Sequence, residues 1–463
     1  MTFPGHVFRE YDIRGVADRE LDSPLAQRIG HAFAATLAAE LGHAPAIALG
    51  RDGRLSSPRI HQAVVAGFLA AGARVTDVGI GPTPLVYFAA HHLDTDGALQ
   101  ITGSHNPGED NGLKMMRGRA SFFGADIQAL RARVSSAEVL PPEPGGAVEE
   151  LDISAAYIEG IRDASRLPPG PHPRVVVDAG NGSAGPLGVR TLRALGLEVD
   201  PLFEEIDGRF PNHHPDPTQP ENLVHLKERV LSTGALLGLA WDGDGDRLGA
   251  IDERGEIVWG DKLMILFSRA LLKEHPGAAI LGEVKCSETL FDDIRAHGGQ
   301  ALYSKTGHSL IKTRMKKEGA LLAGEMSGHL FFGDRFFGYD DAIYAAVRLI
   351  EIVSAARVPL SHLLSDVPRT FATPELRVDC PDARKFEVVE RVLAHFKKTH
   401  QVLDIDGARV SFGDGAWGLC RASNTQPVLV LRFEAKTEAR LAAIRAEVEA
   451  VVQRASGATG AGA

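Results

Sequence analysis

The chain has 463 residues, of which 44% are hydrophobic and 24% charged, and it carries a formal net charge of −10. That length exceeds one ordinary hydrophobic core and predicts roughly three or four domains of a soluble globular protein. The negative balance, with acids and bases interspersed, argues against a nucleic-acid or acidic-membrane partner, while leaving room for local basic sites that hold phosphate. Cys286, Cys380 and Cys420 lie far apart and show neither disulfide nor zinc spacing, so a reducing, cytoplasmic location is expected. The N-terminal stretch MTFPGHVFREYDIRG has no apolar h-region, and no apolar run reaches about 18 residues, so neither a signal peptide nor a membrane span is expected.

In chain order, AIALGRDGR (46–54) reads as a strand ending in a polar loop, HQAVVAGFLAAGA (61–73) as a helix and RVTDVG (74–79) as a strand. The short strand GALQI then runs into TGSHNP. RVVVDAGNGSAGP, the helix LGVRTLRALG and the strand LEVDPLF repeat the pattern, and GALLGLAW runs into DGDGDR. AAILGEVKCS, ETLFDDIRAHG and GQALYSKTG give it a third time, and GALLA runs into GEMSGH. Alternation of this kind predicts α/β layers with a mixed or parallel sheet. Ligands of α/β sheets bind beyond the carboxyl ends of the strands, so three such ends facing one cleft would build one site from three domains. The remainder differs: TPELRVDC and QPVLVLRFEAK read as strands and TEARLAAIRAEVEAVVQRA as an amphipathic helix, a smaller α+β domain. The expected domains are 1–147, 148–253, 254–367 and 368–463, with the first boundary near PPEPGG (141–146).

The loops carry the chemistry. In TGSHNP, Gly103 and Pro107 favour a tight turn around the hydroxyl of Ser104, with His105 beside it and Lys114 ten residues on. An ordinary polar turn uses the same residue types. DGDGDR sets Asp242, Asp244 and Asp246 at alternate positions. Carboxylates so close repel unless a cation sits among them, and hard oxygen ligands suit magnesium or calcium. A solvated acidic turn is the alternative. An EF-hand does not fit, because Arg247 stands at the sixth position, where glycine is required, and the flanks read as strands, although Glu253 falls at the twelfth. Arg247 lies beside this loop, where it can meet a phosphate. GEMSGH offers Glu325, Ser327 and His329, a set suited to sugar hydroxyls or simply to a polar wall. RASNTQP offers Arg421, Ser423, Asn424 and Thr425, which can cradle a phosphate or form a polar hairpin turn. Gly180, Gly182 and Gly185 form G-x-G-x-x-G after a strand, with Glu198 downstream, the context of a dinucleotide fingerprint. The other two repeats lack such a loop, and the glycines equally suit a tight strand-to-helix turn.

TGSHNP, DGDGDR, GEMSGH and RASNTQP, in this order, resemble the α-D-phosphohexomutase superfamily, and within it the bacterial phosphomannomutase/phosphoglucomutase group, over essentially the whole chain. The resemblance implies three similar α/β domains with mixed sheets and a smaller C-terminal α+β domain around a central cleft. It implies that Ser104 carries a phosphoryl group and that Asp242, Asp244 and Asp246 bind Mg2+ together with a phosphoserine oxygen. Glu325 and Ser327 would recognise sugar hydroxyls, and Arg421, Ser423, Asn424 and Thr425 would hold the non-reacting phosphate. EYDIRG resembles the family's N-terminal cleft residues, which would place Tyr11 and Arg14 in the cleft. Lys114, Arg247, Lys285, His308 and His329 fall at further cleft positions; Lys114, Arg247 and His329 join Ser104 as the expected catalytic set, and His329 also counts among the substrate-binding residues. The implied reaction is reversible conversion of hexose 1-phosphate and hexose 6-phosphate, for glucose and mannose. Glucose 1,6-bisphosphate would be the intermediate and activator, a phosphosugar the only partner and the monomer the working form. The alternatives are a phosphoglucosamine mutase, a magnesium phosphatase with water as acceptor, and a noncatalytic sugar-phosphate or dinucleotide-binding protein.

Overall fold

The structure is a computed structural model that describes residues 3–135, 145–424 and 426–457. Among these residues the strands form four sheets. In the first, Ala46–Arg51 runs parallel to Arg74–Ile80 and to Gly97–Ile101, and Gly97–Ile101 returns antiparallel as Asp110–Arg117. In the second, Val175–Asp178 runs parallel to Val199–Leu202 and Leu237–Trp241, and the latter returns as Leu248–Asp252. In the third, Ala279–Glu283 runs parallel to Gln300–Ser304 and Leu322–Gly324, which returns as Leu330–Phe332. TGSHNP, DGDGDR and GEMSGH are therefore the same structural object three times, the connection from the last parallel strand into an antiparallel return strand. The sheets are mixed for this reason, as expected.

The fourth sheet is antiparallel throughout, in the order Phe371–Ala372, Val428–Ala435, Trp417–Ala422, Ala408–Ser411 and Gln401–Leu403, with Leu376–Asp379 also on Val428–Ala435. Helices Asp382–Phe396 and Glu438–Ala455 pack on it through Val388, Val392, Phe396, Val448 and Val452, an α+β unit with its own core. RASNTQP joins Trp417–Ala422 to Val428–Ala435. By contrast, one apolar core runs through Phe88, Tyr157, Trp241, Phe267, Phe332 and Val347, binding the first three domains to one another. Among the described residues the apolar cluster that joins the third domain to the fourth is small, Val284, Trp417 and Leu419.

Element edges differ from the sequence pattern where hydrogen bonds override it. The helix expected at 61–73 runs Ser57–Ala70, because Pro58 can occupy its first turn without losing a bond. Ala147–Glu150 pairs parallel with Arg74–Ile80, so the first sheet extends past the expected edge at 147. Ile257–Val258 pairs with Leu248–Asp252, so the second sheet extends past 253. Residues 141–144 of PPEPGG lie outside the described residues. Among the described residues no helix is long and apolar enough to cross a membrane.

Glycine sets one helix contact that supports the first sheet. Asp22 caps helix Ser23–Leu41 by accepting from the Leu25 N–H, and Gly42 ends it in the left-handed region. Helix Ser57–Ala70 crosses it so closely that a Cβ on Gly67 would lie 2.1 Å from the Gln27 carbonyl oxygen and 2.7 Å from the His31 nitrogen. Both obstacles are backbone and cannot rotate away. Gly67→Ala should therefore cost about 1–3 kcal/mol, the usual range for overpacking, read as a lower urea midpoint of the first unfolding transition. An unchanged midpoint would rule out this close contact.

Candidate active site

The turn that presents Ser104 is held from inside by Arg54. Its buried guanidinium donates to the carbonyl oxygens of Ser104 (2.7 Å), Asn106 (2.6 Å), Pro107 (2.5 Å) and Asp110 (2.9 Å). Asp52 pairs with Arg54 at 3.3 Å and accepts the Gly103 N–H at 3.1 Å. Burial pulls the Arg54 pKa below the ordinary arginine value, against the pull of Asp52. Gly103 is needed here for space, since a Cβ would lie 2.4 Å from Arg54 Cζ. Ser104 itself has φ +49°, a left-handed conformation uncommon outside glycine and costly enough to mark a functional turn. Its Oγ donates to Asp242 Oδ2 at 2.9 Å and lies 2.9 Å from His105 Nδ1.

Asp242, Asp244 and Asp246 are all fully buried, and three of their oxygens lie within 4.8 Å of one another. The loop turns so tightly that Asp242 Oδ1 accepts the backbone N–H groups of Asp246 (3.0 Å) and Arg247 (3.1 Å). Lys114, on the return strand of the first sheet, donates to Asp244 Oδ2 (2.6 Å) and Asp246 Oδ2 (2.5 Å). Thr83 also donates to Asp244 Oδ2. Burial and repulsion from Asp246 and Asp244 push the Asp242 carboxyl well above its ordinary range. Burial pushes Asp246 the same way, but Lys114 and His329 outweigh it and hold that carboxyl well below. The two carboxylates raise the Lys114 pKa well above normal in spite of burial. Lys114 thus bonds to two of the three buried carboxyls, and Asp244 Oδ1 and Asp246 Oδ1 have no hydrogen-bond partner among the described residues, with His329 Nε2 3.3 Å from the latter. These are the features of a hard-cation site: charge in excess, oxygen donors only, and unused lone pairs turned inward. Gly243 lets the acidic loop approach Ser104, because a Cβ there would lie 2.3 Å from the Ser104 carbonyl oxygen.

The third loop closes over this pair. The backbones of Arg247 and His329 form an isolated bridge, and the Leu248 N–H donates to Gly328 O at 3.0 Å. Arg247 Nε donates to His329 Nε2 at 2.7 Å. Glu325 Oε1 accepts the Gly307 N–H at 2.6 Å, and Ser327 Oγ lies 3.4 Å from Glu325 Oε2. His308 begins helix His308–Glu318, its ring 5.5 Å from that of His329 and 6.1 Å from that of Tyr11. Burial, then Lys312, hold the His308 pKa well below normal. Arg14 donates to Asp12 at 2.5 Å and to Asn106 Oδ1 at 2.7 Å.

At the far end, Arg421 Nε donates to Asp406 Oδ2 at 2.9 Å, and Asn424 Nδ2 donates to Tyr11 Oη at 2.5 Å. Tyr11 in turn donates to Thr306 O at 2.9 Å and packs over Gly307, where a Cβ would lie 2.5 Å from Tyr11 Cζ. Ser423 Oγ accepts the Gln426 N–H at 3.1 Å. Thr425 lies outside the described residues. Lys285 Nζ lies 2.5 Å from Glu375 Oε1 and 3.5 Å from Glu283 Oε2. Burial pushes the Glu283 carboxyl up to about 7, against the pull of Lys285. The four motif loops are thus linked by contacts: Ser104 to the acidic loop through Asp242, the acidic loop to the third loop through Arg247 and His329, and the third loop to Asn424 of the fourth through Glu325, Gly307 and Tyr11.

Sequence reasoning missed Arg54, Asp406, Glu375, Glu283 and Asp340. Only Arg54 had a local signal, the charged stretch GRDGR at a strand end. The G-x-G-x-x-G loop has a structural use. A Cβ on Gly182 would lie 2.9 Å from the Gly243 carbonyl oxygen, and one on Gly185 would lie 2.1 Å from that of Glu204. Its glycines pack against the acidic loop and the neighbouring chain, which accounts for them without a dinucleotide.

Four family models match the chain in order: phosphoglucomutase/phosphomannomutase alpha/beta/alpha domain I over residues 5–139, domain II over 155–255, domain III over 259–371 and the C-terminal domain over 375–451. A phosphomannomutase/phosphoglucomutase of Pseudomonas putida is 45% identical over 446 residues, 96% of this chain and 95% of the relative. A phosphoglucomutase of Neisseria gonorrhoeae is 45% identical over 451 residues, 96% of each. The crystal structure of a phosphoglucomutase/phosphomannomutase family protein from Burkholderia thailandensis superposes with a TM-score of 0.92 at 42% identity, covering 99% of both chains.

The unused oxygens of the acidic loop make cation binding directly measurable. Asp244→Asn should weaken Mg2+ binding, followed by calorimetry, by at least about tenfold, because a neutral amide replaces a charged ligand in a buried shell. Equal affinity in the variant would remove Asp244 from the site.

Proposed function

The chain belongs to the phosphoglucomutase/phosphomannomutase family of the α-D-phosphohexomutase superfamily, and on that premise we propose that it reversibly converts hexose 1-phosphates and hexose 6-phosphates, of glucose and of mannose, through a phosphoserine at Ser104. One observation supports this reading: the Ser104 hydroxyl, 2.9 Å from Asp242 of a buried acidic triplet, belongs to a chain of contacting loops that runs through His329, Glu325, Gly307 and Tyr11 to a second polar loop, 421–424, suited to an anion. A phosphatase needs one phosphate station and a binding protein needs no presented hydroxyl. A mutase needs both.

Asp242, Asp244, Asp246 and an oxygen of phosphorylated Ser104 would hold Mg2+, which supplies positive charge for the oxygens of the transferring phosphoryl group. Lys114, Arg14 and Arg247 bring further cationic charge to the Ser104 end. Arg421, Ser423, Asn424 and Thr425 hold the non-reacting phosphate, with Lys285 beside them. Glu325 and Ser327 take the sugar hydroxyls. With a sugar 1-phosphate so held, its 6-hydroxyl oxygen forms a bond to phosphorus and the bond from phosphorus to Ser104 Oγ breaks. The hydroxyl proton passes through cleft side chains to Ser104 Oγ. The resulting bisphosphate turns end for end, and its 1-phosphate returns to Ser104. Glucose 1,6-bisphosphate is then both the intermediate and the activator that recharges the serine.

The turn requires room. The contact that must yield is the polar one between the fourth domain and the first, Tyr11 with Asn424. The fourth domain has a core of its own and can move as a body. The three free cysteines are buried, which suits a reducing compartment, and we take the enzyme to be a cytoplasmic monomer.

Glucose and mannose differ only at C2, and a site that anchors the phosphate and the C3 and C4 hydroxyls has no strong means of rejecting the epimer. Specificity constants for glucose 1-phosphate and mannose 1-phosphate should lie within roughly tenfold, or about 1.4 kcal/mol. A preference for glucosamine phosphate would move the substrate to the related branch and leave the chemistry standing. Intact-mass measurement tests that chemistry. Purified protein should carry one phosphate that is lost on exposure to hexose phosphate, and folded Ser104→Ala should carry none and lose most turnover. Normal turnover by that variant would overturn the assignment.

A further inference from the structure

The turn between strands Gln401–Leu403 and Ala408–Ser411 carries Asp406, and none of the roles above uses it. Ala408 pairs with Cys420, so the turn ends beside Arg421 on the neighbouring strand. Gly407 makes that approach possible. It has φ +86°, and a Cβ on it would lie 2.4 Å from the Cys420 carbonyl oxygen and 2.8 Å from Arg421 Cα. The pair Asp406-Gly407 thus brings a carboxylate against a guanidinium. The Arg421 side chain is 6% exposed and that of Asp406 13%, so water screens their attraction little.

One oxygen of Asp406 makes two bonds. Oδ2 accepts from Arg421 Nε at 2.9 Å and from the backbone N–H of Thr306 at 3.0 Å. Thr306 belongs to the third domain, and its other polar groups are engaged as well. Its carbonyl accepts from Tyr11 Oη at 2.9 Å, and its hydroxyl donates to Glu283 Oε2 at 2.7 Å. The Thr306 N–H is therefore a fixed point. It locates the carboxylate, and the carboxylate locates the arginine.

The nitrogen that Asp406 takes decides what is left. A guanidinium carries five N–H donors in one plane, and a single oxygen at Nε leaves the edge formed by the two terminal nitrogens. Those nitrogens make no hydrogen bond among the described residues. Two parallel N–H groups on one edge match two oxygens of a phosphate. Glu283 also attracts this guanidinium, more weakly than Asp406 does, and would compete for it if Asp406 were removed.

We propose that Asp406 is a positioning residue: it anchors Arg421 by Nε, with the Thr306 N–H of the third domain holding the same oxygen, and so keeps both terminal nitrogens of the arginine available as one edge for a phosphate. This rests on the mutase reading, in which Arg421 meets the phosphate that does not react. Asp406 touches neither phosphate nor sugar and takes no part in the transfer; it aims the side chain that binds.

The test has two arms. In kinetics, Asp406→Ala should raise KM for glucose 1-phosphate by roughly tenfold or more, within the range for coupled residues in contact. The kcat should change by less than about threefold, since the phosphate is held alike before and during transfer. Asp406→Asn keeps an oxygen for both N–H groups and should recover most of the loss. In an Arg421→Ala background, Asp406→Ala should change KM by less than about threefold, since the carboxylate acts through the arginine. Equal loss in both backgrounds, or a loss in Asp406→Asn as large as in Asp406→Ala, would make Asp406 a folding or charge partner and overturn the proposal. So would near-normal KM in folded Asp406→Ala. The second arm needs no turnover. In spectra of 15N-arginine-labelled protein, with the Arg421 signals identified by their loss in Arg421→Lys, the Nε–H should be protected from exchange in the unmodified chain and lose protection in Asp406→Ala. Inorganic phosphate should slow exchange at the terminal nitrogens and leave the Nε–H as it was. An unprotected Nε–H in the unmodified chain, or terminal nitrogens that do not respond to phosphate, overturns the proposal even if the variants fail to fold. Absence of hexose-phosphate turnover in the unmodified enzyme would instead defeat the mutase reading and leave the spectra to judge the anchored arginine.

Discussion

The cleft depends on the ion cluster of Lys114 with Asp244 and Asp246. Three carboxyls on one five-residue stretch, all out of contact with water, are untenable unless positive charge meets them. Lys114 comes from the first domain and the acidic loop from the second, so the same contact that makes the carboxyls tolerable also locks the two domains together. Removing one partner of such a buried pair typically costs on the order of 3–5 kcal/mol, because the other is left uncompensated. Thr83 adds a second tie, donating its backbone N–H to Asp244 O at 2.8 Å as well as its hydroxyl to the side chain. With the domains so fixed, Ser104 arrives against Asp242 without a hinge between them.

The cation site, the serine and the imidazole pair are consequently one electrostatic object. Asp242 is held high by burial and its neighbours, Asp246 low by Lys114 and His329, and Lys114 high by both carboxylates. Each group gives its neighbour the charge that neighbour requires. Preorganisation of this kind is what phosphoryl transfer asks of a protein, since the chemistry is mostly positioning and the stabilisation of oxygen charge. The interior arginine serves the same end by another route. Arg54 spends its hydrogen bonds on backbone carbonyls of the serine turn, so a loop without regular structure becomes as fixed as a strand.

The fourth domain stands apart in its energetics. It meets the third through Arg409, which donates to Val284 O and Cys286 O and lies 3.6 Å from the centroid of the Trp417 ring, and through Arg432, which donates to Lys285 O. Glu434 accepts from Ser287 and from the Trp417 indole. These contacts are dense on the side of the third domain. Those that reach the first domain are few and polar, chiefly Asn424 with Tyr11. The fourth domain is thus attached firmly along one edge and lightly along the edge where Asn424 meets Tyr11.

The sequence by itself determined the layout. Three repeats of strand, loop, helix and strand, and a fourth part of different pattern, follow from periodicity and glycine stops, which are local properties of the chain. Ser104, the aspartate triplet, Glu325 and Arg421 stood out because each sits in a short polar run at a strand end, and the role expected of each came from the resemblance of the four runs taken together. Tertiary structure alone decided the pairings. Lys114 meets Asp244 across 130 positions, Tyr11 meets Asn424 across 413, and no local pattern links either pair. Asp340 has no motif of its own, and a backbone bridge with Phe331 sets it beside the strand that follows His329. The strands at 147–150 and 257–258 were invisible as sheet members because an edge strand of two to four residues is defined by its partner's free hydrogen bonds, not by its own side chains. G-x-G-x-x-G left a dinucleotide loop and a tight turn both open, and the packing of Gly182 and Gly185 accounts for it as a turn. Spacing along the chain can announce a loop, but the distance between loops is set only when the strands that carry them are stacked.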